Sequence, residues 1–128
     1  MKTDPDCVFC KIVAKQIPAT VVHEDDRSLA FMDIGQVNPG HVLVAAKAHA
    51  ENIYALDEAD ASAVFRGAVR VARAIREVFA PPGLSVYQAN GKPAGQTVFH
   101  FHLHLVPRHE GDGTSSARFE DGNTVFHR

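Results

Sequence analysis

Eleven consecutive residues, Gln96-Thr97-Val98-Phe99-His100-Phe101-His102-Leu103-His104-Leu105-Val106, constrain this chain more than any others. Three histidines alternate with large apolar side chains. A β-strand sends successive side chains to opposite faces. On a strand, His100, His102 and His104 share one face, while Phe99, Phe101, Leu103 and Leu105 form the other and read as core. A helix would scatter the imidazoles around its circumference, so strict alternation with aromatics predicts the strand. A row of imidazoles suits two chemistries. Neutral imidazole ligates metals, and one imidazole of a group can act as a nucleophile assisted by its neighbours.

The rest of the chain supplies a scaffold. Val8, Phe9, Ile12 and Val13 recur at helical spacing within residues 7–16, and Ile17-Pro18 ends that short helix. Val21–Glu24 and Ser28–Ile34 read as strands joined through Asp25-Asp26-Arg27. Asn38-Pro39-Gly40 is a turn, and His41–Ala46 a third strand with a central place. Val64, Phe65, Ala68, Val71, Ala72, Ile75, Val78 and Phe79 form a helical stripe that Asp57 caps and Pro81-Pro82-Gly83 stops. That long helix carries no cluster of reactive groups and reads as scaffold. Leu84–Asn90 is a fourth strand, Gly91–Gly95 a loop, and the histidine strand follows. This order predicts an α+β fold with a mainly antiparallel five-stranded sheet, one long helix and a short N-terminal helix. We expect a single domain over residues 1–128, with a core at about 7–108 and a tail at 109–128. Gly111–Ser116 is polar, and Phe119, Val125 and Phe126 equip the tail to dock.

Composition narrows the function. A net charge of −2 without a basic block argues against a broad nucleic-acid surface. No apolar run approaches membrane-spanning length, and Met1–Asp6 lacks a hydrophobic signal region. The expectation is a cytoplasmic protein without nucleic-acid or membrane partners. A structural disulfide is unfavoured there, so Cys7 and Cys10 need another role. Cys-x-x-Cys places two thiols within one turn. A zinc site, a redox pair and coincidence all produce that spacing.

The segment His100–Val106 resembles the His-φ-His-φ-His-φ-φ signature (φ apolar) of the histidine-triad (HIT) family, and the resemblance runs from about Cys7 to Arg108. It implies the HIT-like fold and homodimers paired across the helix and a sheet edge. It also implies that His102 attacks the α-phosphorus of a nucleotide and forms a covalent nucleotidyl intermediate. His104 then donates to the phosphate or protonates the leaving group, and His41 joins His100 and the others as a tetrad in the Hint-like branch. Gln96, Thr97 and Val98, with Asn90, fall on the phosphate side. Asp33 falls where a carboxylate accepts from the ribose hydroxyls. Val8, Phe9, Ile12, Phe31 and Ile34 match apolar positions around a purine base. The zinc-binding branch places its four ligands at Cys7, Cys10, His49 and His100. Many relatives have Pro-Lys-x-His before the third ligand, where this chain has Ala46-Lys47-Ala48-His49. Two thiolates and two imidazoles close the shell, so that zinc is structural. The implied activity is hydrolysis of purine nucleoside phosphoramidates or related nucleotide conjugates. The alternatives are dinucleoside polyphosphate hydrolysis and nucleotide binding with little turnover. A catalytic metal on the triad is disfavoured, because same-face strand neighbours stand roughly 6.5–7 Å apart and no carboxylate is placed as general base.

Overall fold

A computed structural model of the chain describes residues 1–113; the expected docking of Phe119, Val125 and Phe126 lies outside these residues. The elements in chain order are α1 (Val8–Val13), β1 (Val21–Glu24), β2 (Ser28–Met32), β3 (Val42–Ala46), α2 (Glu58–Phe79), β4 (Gly83–Tyr87) and β5 (His102–Arg108), with single 3-10 turns at Ile53–Ala55 and Lys92–Ala94. The five strands form one antiparallel sheet in the order β1-β2-β3-β5-β4. The α+β architecture expected from the pattern is the one observed.

Both sheet faces are covered, which explains the unbroken apolar run of β3. All five of its residues are buried, as expected for a strand with helices on both sides. Ala30, Val42, Val44, Ala46, Phe101, Leu103 and Leu105 pack against Val64, Ala68, Val71 and Ile75 of α2. On the opposite face, Leu29, Phe31, Leu43 and Ala45 pack with Phe9 and Ile12 of α1. Each large aliphatic side chain fully buried here contributes roughly 1.5–3 kcal/mol.

The stripe of α2 departs from the expected one. Phe65 is 58% exposed and Val78 73% exposed, and Phe79 is also exposed. The buried positions are Asp60, Ala63, Val64, Gly67, Ala68, Val71 and Ile75. The cause is close approach. A Cβ on Gly67 would lie 3.1 Å from Ser28 Oγ, so the helix turns its small residues inward and its bulky neighbours rotate out. Asp57 caps the helix as expected, its carboxylate accepting from Ala59 N–H at 2.8 Å.

The histidine segment also differs from the expected strand. β5 begins at His102, and residues 96–101 are irregular. Phe101 N–H donates to Ala50 O at 2.7 Å while its carbonyl accepts from Ala46 N–H at the end of β3, so regular pairing with β3 starts only at His102. Phe99, expected in the core, is 43% exposed. Strands β2 and β4 are shorter than expected as well. β2 ends at Met32, so Asp33 lies in the following turn, and β4 ends at Tyr87, so Asn90 lies in a loop.

Candidate functional site

The register of β5 against β3 sets the site. His104 lies opposite Leu43 and His102 opposite Ala45, so both imidazoles emerge on the α1 face. Leu103 and Leu105 take the α2 face. His100 precedes the strand, and its ring also faces α1, edge-on to Phe9 at 5.8 Å. The three histidines nevertheless divide between two centres.

The first centre gathers His102, His104, His41 and Asp33. His102 and His104 stand ring to ring at 4.8 Å. His41 Nε2 lies 3.0 Å from His104 Nδ1 and 3.5 Å from Asp33 Oδ2. The Asp33 carboxylate is brought there by the turn after β2, where Asp33 N–H donates to His41 O and Asp33 Oδ1 accepts from Gly35 N–H. His102 Nδ1 donates to His100 O at 2.6 Å. A neutral ring that donates through Nδ1 keeps its lone pair on Nε2.

Burial decides the charge of these rings. It pushes His41, His102 and His104 below the ordinary imidazole range, and the mutual proximity of the rings lowers His104 further, while Asp33 opposes the shift at His41 and His102. Neutral imidazoles are the forms that act as nucleophiles near pH 7.

The second centre gathers Cys7, Cys10, His49 and His100. Cys7 caps α1, its Sγ accepting from Cys10 N–H. His100 Nδ1 lies 3.3 Å from Cys7 Sγ, 3.5 Å from Cys10 Sγ and 3.3 Å from His49 Nδ1, and His49 Nδ1 lies 3.4 Å from Cys10 Sγ. Tetrahedral zinc at about 2.3 Å from sulfur and about 2.0–2.1 Å from nitrogen would separate its ligand atoms by roughly 3.3–3.8 Å, so this donor set fits the ion. The tautomer fits as well. His100 Nε2 donates to Ala46 O at 2.5 Å, turning the Nδ1 lone pair toward the thiols. Burial lowers the His100 pKa to about 4, so the ring is neutral. Both cysteines are free thiols.

The remaining expected residues have the following surroundings. The Gln96 amide is committed to the backbone: Nε2 donates to Glu51 O and Val98 O, and Oε1 accepts from Gly91 N–H. It ties the Gly91–Gly95 loop to Glu51 and Val98. Asn90 is tied in the same way, accepting from Ile53 N–H and exchanging hydrogen bonds with Gln88. Thr97 is exposed, and Val98 packs on the α1-side core. Phe9 sits edge-on to Phe31 at 5.2 Å and to the His102 ring at 4.9 Å. Ile34 is fully exposed. Sequence reasoning passed over the Ala46 carbonyl and over Tyr87, whose ring lies 5.8 Å from His104. Tyr87 pairs with His104 across β4 and β5, a register that no local motif announces.

The arrangement has counterparts in known proteins. The HIT domain family matches residues 14–111. "Protein hit" of Bacillus subtilis is 49% identical over 109 residues, covering 84% of this chain and 75% of that protein. The adenosine 5'-monophosphoramidase hnt1 of Schizosaccharomyces pombe is 37% identical over 102 residues, covering 80% and 74%. The crystal structure of a Zn-bound histidine triad family protein from Mycobacterium smegmatis superposes with a TM-score of 0.80 at 37% identity, covering 94% of this chain and 90% of that one. With its paired imidazoles on an antiparallel five-stranded sheet and these relatives alongside, the chain belongs to the histidine-triad (HIT) domain family.

Proposed function

We propose that this protein is a zinc-bearing, Hint-like hydrolase of purine nucleoside phosphoramidates and related nucleotide conjugates. One observation carries the reading: His102 is held through Nδ1 by the His100 carbonyl, with His104 edge-on beside it and His41 hydrogen-bonded to His104. Its Nε2 attacks the α-phosphorus, the bond from phosphorus to the leaving nitrogen breaks, and a proton supplied through His104 lets the amine depart. Water then attacks the same phosphorus, the phosphorus–imidazole bond breaks, and the mononucleotide leaves with His102 neutral again. Positioning and preorganised donors supply most of the acceleration in such transfers. Asp33 suits the ribose hydroxyls, and Phe9 and Phe31 suit the purine. The relative named as an adenosine 5'-monophosphoramidase supports this substrate class.

The Cys7, Cys10, His49 and His100 set is read as holding one structural zinc per chain, which staples α1 to the segment leading into β5. The Zn-bound relative supports that assignment. The chain is further read as a cytoplasmic homodimer paired through α2 and the edge strand β4, where Phe65, Val69, Leu84 and Val86 are exposed. The test is AMP release from adenosine 5'-phosphoramidate with a chelator present and no metal added. Release that persists in chelator is the expected result. Loss of turnover with the fold intact would move the chemistry to a catalytic metal. Absence of release under all conditions would overturn the phosphoramidate reading, and dinucleoside polyphosphates would be assayed next.

A further inference from the structure

The histidine pair deepest in the site is connected to a network that starts at the far end of β5. Arg108 grips Asp112 with two hydrogen bonds, Nε to Oδ2 at 2.9 Å and Nη2 to Oδ1 at 3.1 Å. Asp112 Oδ2 also accepts from His109 N–H at 3.0 Å and from Asn38 Nδ2 at 3.0 Å. The same Asn38 amide donates to Pro107 O at 2.7 Å, so both of its hydrogens are spent fastening the turn between β2 and β3. Gln36 and Gly40 close that turn, Gly40 N–H donating to Gln36 Oε1 at 3.1 Å. Gly40 has φ +92°, and a Cβ there would meet the Phe79 ring at 2.9 Å. The turn is therefore held from several sides.

Its fastening has a chemical consequence. Val37 N–H donates to His41 Nδ1 at 3.2 Å. A nitrogen that accepts cannot carry the proton of a neutral ring, so His41 is protonated on Nε2. That proton points at His104 Nδ1, 3.0 Å away, which must then accept, leaving the His104 proton on Nε2. We propose that Asp112 and Asn38 are positioning residues that, through the Val37 N–H, set which nitrogen of His41 and then of His104 carries its proton. Released from Val37, His41 can move its proton to Nδ1. His104 would then donate from Nδ1, leaving a bare Nε2 with no proton for a leaving group. The two arrangements hold equal numbers of protons and differ in where they point. The consequence for turnover rests on the phosphoramidate reading above, whereas the tautomers do not.

The test is long-range 1H–15N NMR of histidine-labelled full chain near pH 7.5, with kinetics alongside. Wild type is expected to show Nε2–H on both His41 and His104. Asp112→Ala is expected to lose that fixed pattern and to lower kcat by about tenfold or more with KM little changed. Asn38→Ala should repeat the effect, the double variant should be no worse than either single one, and Asp112→Asn, which keeps an acceptor for Asn38, should recover most of the turnover. Nδ1–H on wild-type His41 would overturn the proposal, as would a low kcat in the variants with both tautomers intact. Should Asp112→Ala fail to fold, wild type and Asn38→Ala carry the decision. If wild type lacks phosphoramidate turnover, the tautomers still decide this proposal while the activity reading falls.

Discussion

His100 and His102 are the same residue type, two positions apart and both buried, yet they serve different centres. His102 stands on a regular strand and donates through Nδ1 to a carbonyl. His100 stands on irregular backbone, donates through Nε2 to a carbonyl, and turns Nδ1 to two thiols. One main-chain acceptor per ring, applied to opposite nitrogens, leaves a bare Nε2 at one site and a bare Nδ1 at the other. The two centres also touch, because the carbonyl that holds His102 belongs to His100. The surroundings of neighbouring identical residues are thus divided by backbone geometry, and the cysteine–histidine centre lies two residues from His102.

The division between the two centres is tested most severely at His102. His102→Ala is expected to lower phosphoramidate turnover by about 10⁴-fold or more, as removal of a nucleophile does, while metal content stays at one zinc per chain. Cys10→Ser should do the reverse. Zinc measured by atomic absorption falls to none, the urea midpoint drops by an amount equivalent to roughly 3 kcal/mol or more, and turnover falls less than in His102→Ala. Equal loss of turnover in the two variants would show that the centres act as one.

Paired truncations test the boundary between irregular segment and strand. Phe101→Ala removes a buried ring from the α2-side core and should cost about 3–5 kcal/mol. Phe99→Ala removes a half-exposed ring and should cost under about 1 kcal/mol. Between these lies a pH effect. Burial holds His41, His102 and His104 below their ordinary range and His100 at about 4. Below the ordinary imidazole pKa of about 6.5, the unfolded chain therefore binds more protons than the folded one. Stability is full above that value and is lost as pH falls through it toward 4. Denaturation midpoints compared between pH 7.5 and 5 should show this fall, and it should persist in Cys10→Ser, where no zinc is left for protons to displace.

Much of this was legible in the residues themselves. Alternation at residues 101–105 set Leu103 and Leu105 against His102 and His104, since a strand reverses its side chains at every residue. Asp57 and Pro81-Pro82-Gly83 marked the ends of α2 through capping and ring constraint. Alternation misled at Phe99, because the regular strand begins only at His102, where β3 offers a ladder, and that partner is more than fifty residues away. Helical spacing misled at Phe65 and Val78, because small residues won the inner face by approaching the sheet more closely. The meeting of Cys7 and Cys10 with His49 and His100 was reached from the residues only through the family resemblance, whereas the partners of Gln96 and Asn90 and the reach of Asp112 to Asn38 belong to tertiary structure alone. Local pattern determines which residues can form a strand, a helix or a ligand pair. Which nitrogen of a buried ring stays bare depends on donors and acceptors delivered from distant parts of the chain, and only the folded sheet brings those together.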